Sequence, residues 1–562
     1  MRRGVSVVNK KVCSFPILFA LLALLIGTCA VVFPASAQAA PTSTGSITVS
    51  GTVASSYDAY QIFSANVVDG DSDAKIATDL AWASDAVRDI ALPVLHSAGM
   101  PKSQTTAQEA AEWLNTDSHL TSALSAQLAR SLQSSGAVFV ALNAGTAAEL
   151  PCGYWLIVAD DDAIAEGEAG TAPIMALVGG SAVTVKPKAA TPKVAKHVLE
   201  DSTATWQKAA DATVADDLYW RLSATVPAGL TAYDTYAVQF VDTMSAGLDP
   251  SKVAASMRVY VAAGADGGFD AVPTGKDGHA DTEPAKGWTD ITAQCVTKMA
   301  ADGTFTVRTG DLIAALGGAD AFTAGARVVA VYNAPLASGC NHGIAKGNPN
   351  EVYLRYPRSP FADQSGDAGF TRTPSDDACT YTWDLALTKR GSDGDKPLAG
   401  AVLSIADDRG RTLAADGTWN AEGKATITTG EDGRVTVSGV DSGKLEVREL
   451  KAPKGYTAFE GTRSVKVKAE GLDVDQVVAA KPKLTITAES PLRADSADGS
   501  TGSLEASIIN TPTGTPPSIT TGGFMPLTGD MAMYAVAAAA VAGAALIVVA
   551  LLIKRGGGSH KE

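Results

Sequence analysis

Three strand-like stretches near the C-terminus carry polar residues where apolar ones are due. Side chains two apart in a strand share a face. Trp383, Leu385, Leu387 and Lys389 therefore point one way, and the last of them is a lysine. Leu445, Val447 and Glu449 put a carboxyl on an apolar face, and Leu504, Ala506, Ile508 and Asn510 put a carboxamide on another. Burying a charge is costly unless it is paired or neutralised. Exposed strand ends or a Lys389–Glu449 ion pair would account for any one of these residues. Three in one segment favour a chemical reading. In an apolar core the pKa of a lysine falls and that of a carboxyl rises. A neutral Lys389 is then a nucleophile, and a carboxylic acid at Glu449 can polarise the Asn510 carbonyl and shuttle protons. Amine attacks amide, ammonia leaves and a Lys–Asn isopeptide bond remains. The chain would act on itself once, which is not enzymatic turnover.

A similar pattern occurs upstream. Val194, Lys196 and Val198 place a lysine on an apolar face, and Tyr236, Val238, Phe240 and Asp242 place a carboxylate on one. In the later strand Val352, Leu354 and Tyr356 are followed by Arg358 and Ser359, where the second domain of the major pilins that this segment resembles carries its asparagine, and neither residue can be an electrophile. No bond is expected in this segment. Arg358 could pair with Asp242 instead, or Cys295 and Cys340 could staple the domain.

These residues need rigid elements to position them. Most of the chain alternates apolar and polar residues and breaks at Gly, Pro, Asp and Asn, the pattern of antiparallel sandwiches. One region departs from it. Thr106 to Glu109 reads as a capping box, and Leu120, Leu124, Leu128 and Leu132 recur every four residues before Gly136. Helices are expected within 104–135, inserted into the first β domain. Linkers rich in Pro, Lys and Ala (183–193) and in Asp, Ser, Gly and Thr (361–378) divide the body into domains 40–187, 188–375 and 376–512. A Pro/Thr/Gly stalk follows at 513–524.

The ends differ from the body. A basic start, an apolar run and the small residues ASAQAA give residues 1–39 the form of a secretory signal cleaved after Ala39. Residues 531–553 carry no charge and are long enough to cross a bilayer, and the short basic tail after them should stay in the cytoplasm. With a formal net charge of −15, the chain has no basic face for nucleic acid. Outside the cell, Cys152, Cys295, Cys340 and Cys379 could form disulfides whose pairing cannot be read from sequence. The run Asp69, Asp71, Asp73 lacks the glycine and final glutamate of an EF-hand. No histidine cluster, phosphate loop or Ser–His–Asp set is found, so no metal or cofactor is expected.

Met525-Pro526-Leu527-Thr528-Gly529, the apolar span and the basic tail resemble a cell-wall sorting signal of Gram-positive bacteria, with Met525 where that family usually has Leu. The resemblance implies that a sortase cysteine attacks between Thr528 and Gly529 and passes the Thr528 carbonyl to an amine. LEVRELKAPKGY (445–456) resembles the E-box of Gram-positive pilins, and DKPLAGAVLSI (395–405) resembles the strand after the lysine in collagen-adhesin B-type domains. In those domains the Lys, Glu and Asn correspond to Lys389, Glu449 and Asn510. YDTYAVQFVDTMSAGL resembles the second domain of major pilins, where the Asp helps form a Lys–Asn bond. SYDAYQIF and LPCGYWLIV resemble the pilin N-terminal domain, in which no internal bond is expected. VTVKPK (183–188) sits where shaft pilins carry their acceptor lysine. Lys188 is the matching residue, with Lys186 or Lys193 as alternatives.

The resemblance implies tandem Ig-like, collagen-adhesin-type β-sandwiches in a major, shaft-forming pilin. Its partners would be pilin-specific and housekeeping sortases, copies of itself, minor pilins and peptidoglycan. Its place would be a pilus anchored to the cell wall. The competing expectation is a monomeric wall-anchored adhesin that binds a host ligand.

Overall fold

A computed structural model describes residues 43–71, 74–116, 118–187, 191–214, 216–228, 230–264, 287–477 and 480–514. The expected signal at 1–39, Lys188, the sorting motif 525–529 and the span 531–553 lie outside the described residues. The fold expectation is borne out: six sheets stack in pairs into three successive sandwiches. Each sandwich closes over apolar residues from facing strands.

The first module pairs a five-stranded sheet with a three-stranded one. Its long strand Ser56–Asp69 carries the expected alternation, and Tyr57 and Ala59 point into the inter-sheet core. The other face, with Phe63, Leu156 and Val158, is covered by helices. Two of these, Ala107–Asn115 and Ser122–Ser134, fall where the capping box and the leucine repeat place them. Thr106 Oγ accepts from the Glu109 amide, and Glu109 returns the bond to the Thr106 amide at 2.9 Å.

A third helix, Asp85–Ser97, was not expected. Pro93 inside it argues against a helix in isolation. Ser84 nevertheless caps its first turn, and burial of Ala91 and Leu95 against the sheet holds it. From the Ser122–Ser134 helix, Arg130 reaches the second module through the Ala232 carbonyl (2.7 Å) and Asp234 (3.0 Å).

The second module faces a six-stranded sheet with a seven-stranded one. Val194–Glu200, which carries Lys196, pairs with Tyr219–Thr225, and that strand pairs with Arg327–Asn333. In the facing sheet, Gln239–Met244 pairs with Asn348–Pro357 and sets Asp242 opposite Val352 and Met244 opposite Asn350. Asp376–Tyr381 also belongs to this sheet, paired with the strand from Asn348. The boundary expected at 375/376 therefore moves to about Thr382. The stretch read as a linker ends in a strand because Ala378 and Tyr381 are buried.

In the third module the first strand, Trp383–Gly391, lies parallel to the last, Ser503–Pro512. Lys389 is opposite Ile508, and Gly391 is opposite Asn510. Glu449 comes from Gly443–Lys451 in the facing sheet. The module abuts the second through Trp383, whose indole donates to Asp211 at 2.7 Å, and through an Arg411–Asp216 ion pair.

Replacing Thr106 by Ala should remove the capping box and cost the first module about 1 kcal/mol. The check is a lower denaturant midpoint with an unchanged slope.

Candidate functional site

Two buried sites each bring an amine, an acid and a carboxamide together. In the third module Lys389, Glu449 and Asn510 meet in the core, with relative exposures of 0, 6 and 2%. Parallel pairing of the first and last strands puts Lys389 and Asn510 on the same face two residues apart in register. Lys389 Nζ rests against Asn510 Oδ1. It is 3.2 Å from Glu449 Oε1, the oxygen that also accepts from Asn510 Nδ2 at 2.9 Å. Glu449 Oε2 accepts from the Phe459 amide at 3.1 Å, which fixes the carboxyl. The Phe459 ring centroid is 5.8 Å from the amine. Burial pushes Lys389 down to about 8, against the opposing pull of Glu449.

The E-box has a local explanation. After the Glu449 strand, the Tyr456 amide bonds back to Pro453, and Gly455 takes φ +86°, a value only glycine adopts freely. The turn lays Tyr456–Thr457 along Thr511 and Pro512, beside Asn510. The Tyr456 hydroxyl donates to Asp393 at 2.8 Å, just past the lysine strand. One difference from expectation concerns the acid. Glu449 contacts the amide nitrogen rather than the carbonyl. A half-turn of the amide exchanges the two atoms.

The second module buries a carboxamide, Asn350, that the strand ending in Arg358 and Ser359 did not lead one to expect. Lys196, Asp242 and Asn350 are all fully buried, as is Tyr332. Lys196 and Tyr332 come from one sheet, Asp242 and Asn350 from the other. Lys196 Nζ is hydrogen-bonded to Asp242 Oδ2 and lies 2.9 Å from the Tyr332 hydroxyl. That hydroxyl is 3.1 Å from Asp242 Oδ2 and accepts from Asn350 Nδ2 at 2.8 Å. Among the described residues, Asp242 Oδ1 and Asn350 Oδ1 have no partner. Burial pushes Lys196 down to about 8 against the pull of Asp242, and burial raises Asp242 against Lys196.

Asn350 was missed although its signal was available, and Tyr332 was missed because it gave none. Asn348, Asn350, Val352, Leu354 and Tyr356 alternate with more exposed neighbours along one strand. The apolar face of that strand begins only at Val352, downstream of both asparagines. Tyr332, in the run RVVAVYN, reads as an ordinary core aromatic.

The alternatives for this module do not form. The Arg358 guanidinium reaches the Asp161 carbonyl at 3.4 Å, in the first module, and not Asp242. Ser359 Oγ accepts from the Phe361 and Ala362 amides. Cys152, Cys295, Cys340 and Cys379 are free thiols, so none of the disulfides they could form is present among them. Cys295 donates to the Ile291 carbonyl at 3.3 Å, and burial pushes its thiol up to about 11. Among the described residues no group of three His, Cys, Asp or Glu could hold a metal ion. Of the candidate acceptor lysines, Lys186 and Lys193 are exposed on either side of the undescribed Lys188.

Two of the sandwiches thus close over a lysine, an acid and an asparagine, and parts of the chain are similar to known proteins. Residues 384–481 match the family described as SpaA, a prealbumin-like fold domain. Over 120 residues the chain is 30% identical to the trypsin-resistant surface T6 protein of Streptococcus pyogenes serotype M6. That match covers 20% of each, so the chain spans about a fifth of the length of this curated relative. Among solved structures, it is similar to the T6 backbone pilin of serotype M6 Streptococcus pyogenes, at 17% identity and a TM-score of 0.45. That similarity covers 84% of this chain and 98% of that one. It is also similar to the full-length major pilin SpaD of Corynebacterium diphtheriae, at 16% identity and a TM-score of 0.39, covering 84% and 98%.

An Asn510→Ala chain keeps Lys389 as a free buried amine. Its folded pKa, near 8, lies below the unfolded value of about 10.4. The unfolded state then binds more protons between those values, so stability rises as pH rises through that window and is lowest below it. Thermal midpoints of Asn510→Ala should climb from pH 8 to 10 relative to an Asn510→Ala/Lys389→Met chain, which lacks the titrating amine. Parallel curves would contradict the buried amine.

Proposed function

We propose that this chain is the major structural subunit of a sortase-assembled pilus on a Gram-positive cell surface. One observation carries the reading: two separate sandwiches each bury a lysine beside an acid and an asparagine, in a chain with a sorting-type C-terminal sequence. In the third module Lys389 attacks Asn510, Glu449 moves the protons, and ammonia leaves. In the second, Lys196 attacks Asn350 beside Asp242. Each reaction runs once and turns over no external substrate.

Sequence supports the polymerisation step. Sortase cleavage between Thr528 and Gly529 and transfer of the Thr528 carbonyl to Lys188 of another copy would give a head-to-tail filament. Such a contact is heterologous and does not close. Housekeeping sortase would then attach the filament to peptidoglycan, and minor pilins would decorate it. The relatives support the same place on the cell surface: one is a surface protein described as trypsin-resistant, the others backbone or major pilins.

Internal crosslinks suit a subunit of this kind. Lys389 and Asn510 are 121 positions apart. By the loop-entropy argument used for disulfides, tying them stabilises the module by roughly 4–5 kcal/mol. Resistance to proteolysis and pulling gains as well, because the crosslinked strands cannot separate and operational stability is a rate.

The mature chain should weigh about 34 Da less than its sequence, one ammonia for each of two bonds. Tryptic digestion should yield branched peptides joining Lys389 to Asn510 and Lys196 to Asn350. A full-length mass without loss would remove the chemistry from this proposal. Cell-wall extracts should give a high-mass ladder on denaturing gels, and Lys188→Ala should abolish it. A single band from wild-type cells would favour the monomeric adhesin.

A further inference from the structure

We propose that Tyr332 is a catalytic residue of the second module, relaying a proton between Asp242 and the departing nitrogen of Asn350. This rests on the Lys196–Asn350 crosslink proposed above. In the third module one glutamate oxygen touches both reacting nitrogens, at 3.2 Å from Lys389 Nζ and 2.9 Å from Asn510 Nδ2. In the second module the acid is an aspartate, one methylene shorter, and its Oδ2 is engaged with Lys196. The hydrogen bond from Asn350 Nδ2 goes to the Tyr332 hydroxyl. That hydroxyl also contacts Asp242 Oδ2 and Lys196 Nζ, so it touches amine, acid and amide alike. Asn350 also lies beside Asp242 and lowers its pKa, but less than Lys196 or Tyr332 does. Burial raises Tyr332 well above the usual phenol range, so it rests as a neutral hydroxyl able to donate.

The proton inventory closes. Neutral Nζ of Lys196 attacks Cγ of Asn350, and the Cγ–Nδ2 bond breaks. Nδ2 takes the Tyr332 hydroxyl proton as it leaves, and Tyr332 takes the proton of the Asp242 carboxyl. The Asp242 carboxylate recovers one from Nζ. The products are the secondary amide and ammonia, with tyrosine and aspartic acid returned to their starting forms. The ring is held independently of its hydroxyl: it packs edge-on against Phe305 at 4.9 Å between centroids and lies under Lys196 Nζ at 5.4 Å.

Tyr332→Phe therefore removes the relay and keeps the ring. The test is a time course of ammonia loss in newly synthesised full-length chain, read on tryptic peptides of both modules. The third-module crosslink serves as the internal clock for folding and chemistry. In Tyr332→Phe, loss at Lys196–Asn350 should slow at least about tenfold, with the Lys389–Asn510 clock unchanged. Equal rates against the clock would overturn the relay. A second substitution guards against misfolding: 3,5-difluorotyrosine at position 332 keeps shape and hydroxyl but makes the phenol more acidic. A relay predicts a changed second-module rate, and a merely packing hydroxyl predicts none. If wild-type chain shows the third-module loss but none at Lys196, the second-module crosslink itself fails and the relay falls with it. A wild-type loss with an unaffected Tyr332→Phe rate sinks the relay alone.

Discussion

An amine cut off from water is the constraint around which this molecule is arranged. Lys196 and Lys389 are fully buried, and burial weakens their hold on a proton. A lone buried charge would be expensive. Each amine therefore comes with an acid that can share its proton and a carboxamide in the same buried cluster. The surrounding apolar strands keep solvent out, and that exclusion favours the neutral nucleophile over the ammonium ion. Core packing and reactivity share one cause here.

The two sites reach this end by different topologies. In the third module the nucleophile and electrophile are on neighbouring parallel strands of one sheet, and the acid comes from the opposite sheet. In the second, the lysine and tyrosine belong to one sheet and the aspartate and asparagine to the other. One bond would join strands within a layer, while the other would join two layers. The longer reach of glutamate serves the first arrangement. The shorter aspartate works beside a hydroxyl in the second.

Much of the fold could be read from period-two alternation, because sandwich strands show it plainly. The third-module site was legible for the same reason: Lys389, Glu449 and Asn510 each end an unbroken apolar face. Asn350 escaped because it lies near the start of its strand, before the apolar residues that announce the face. Tyr332 gave no signal, since a buried tyrosine is common and only the fold reveals what its hydroxyl meets. The Asp85–Ser97 helix was hidden by Pro93, whose local penalty is overridden by packing on the sheet. The strand Asp376–Tyr381 was hidden by its Asp- and Thr-rich composition, and pairing with Asn348–Pro357 fixes it.

The parallel run of the third module's outer strands has a mechanical corollary. The chain enters at Trp383, and Lys389 lies near the far end of that strand. Asn510 lies near the same end of the final strand, just before the chain exits. With those side chains joined, a pull on the termini would travel along one short strand, step sideways through the bond and leave. The hundred-odd residues between would carry no load and could stay folded as a passive sleeve while the thread through them is taut.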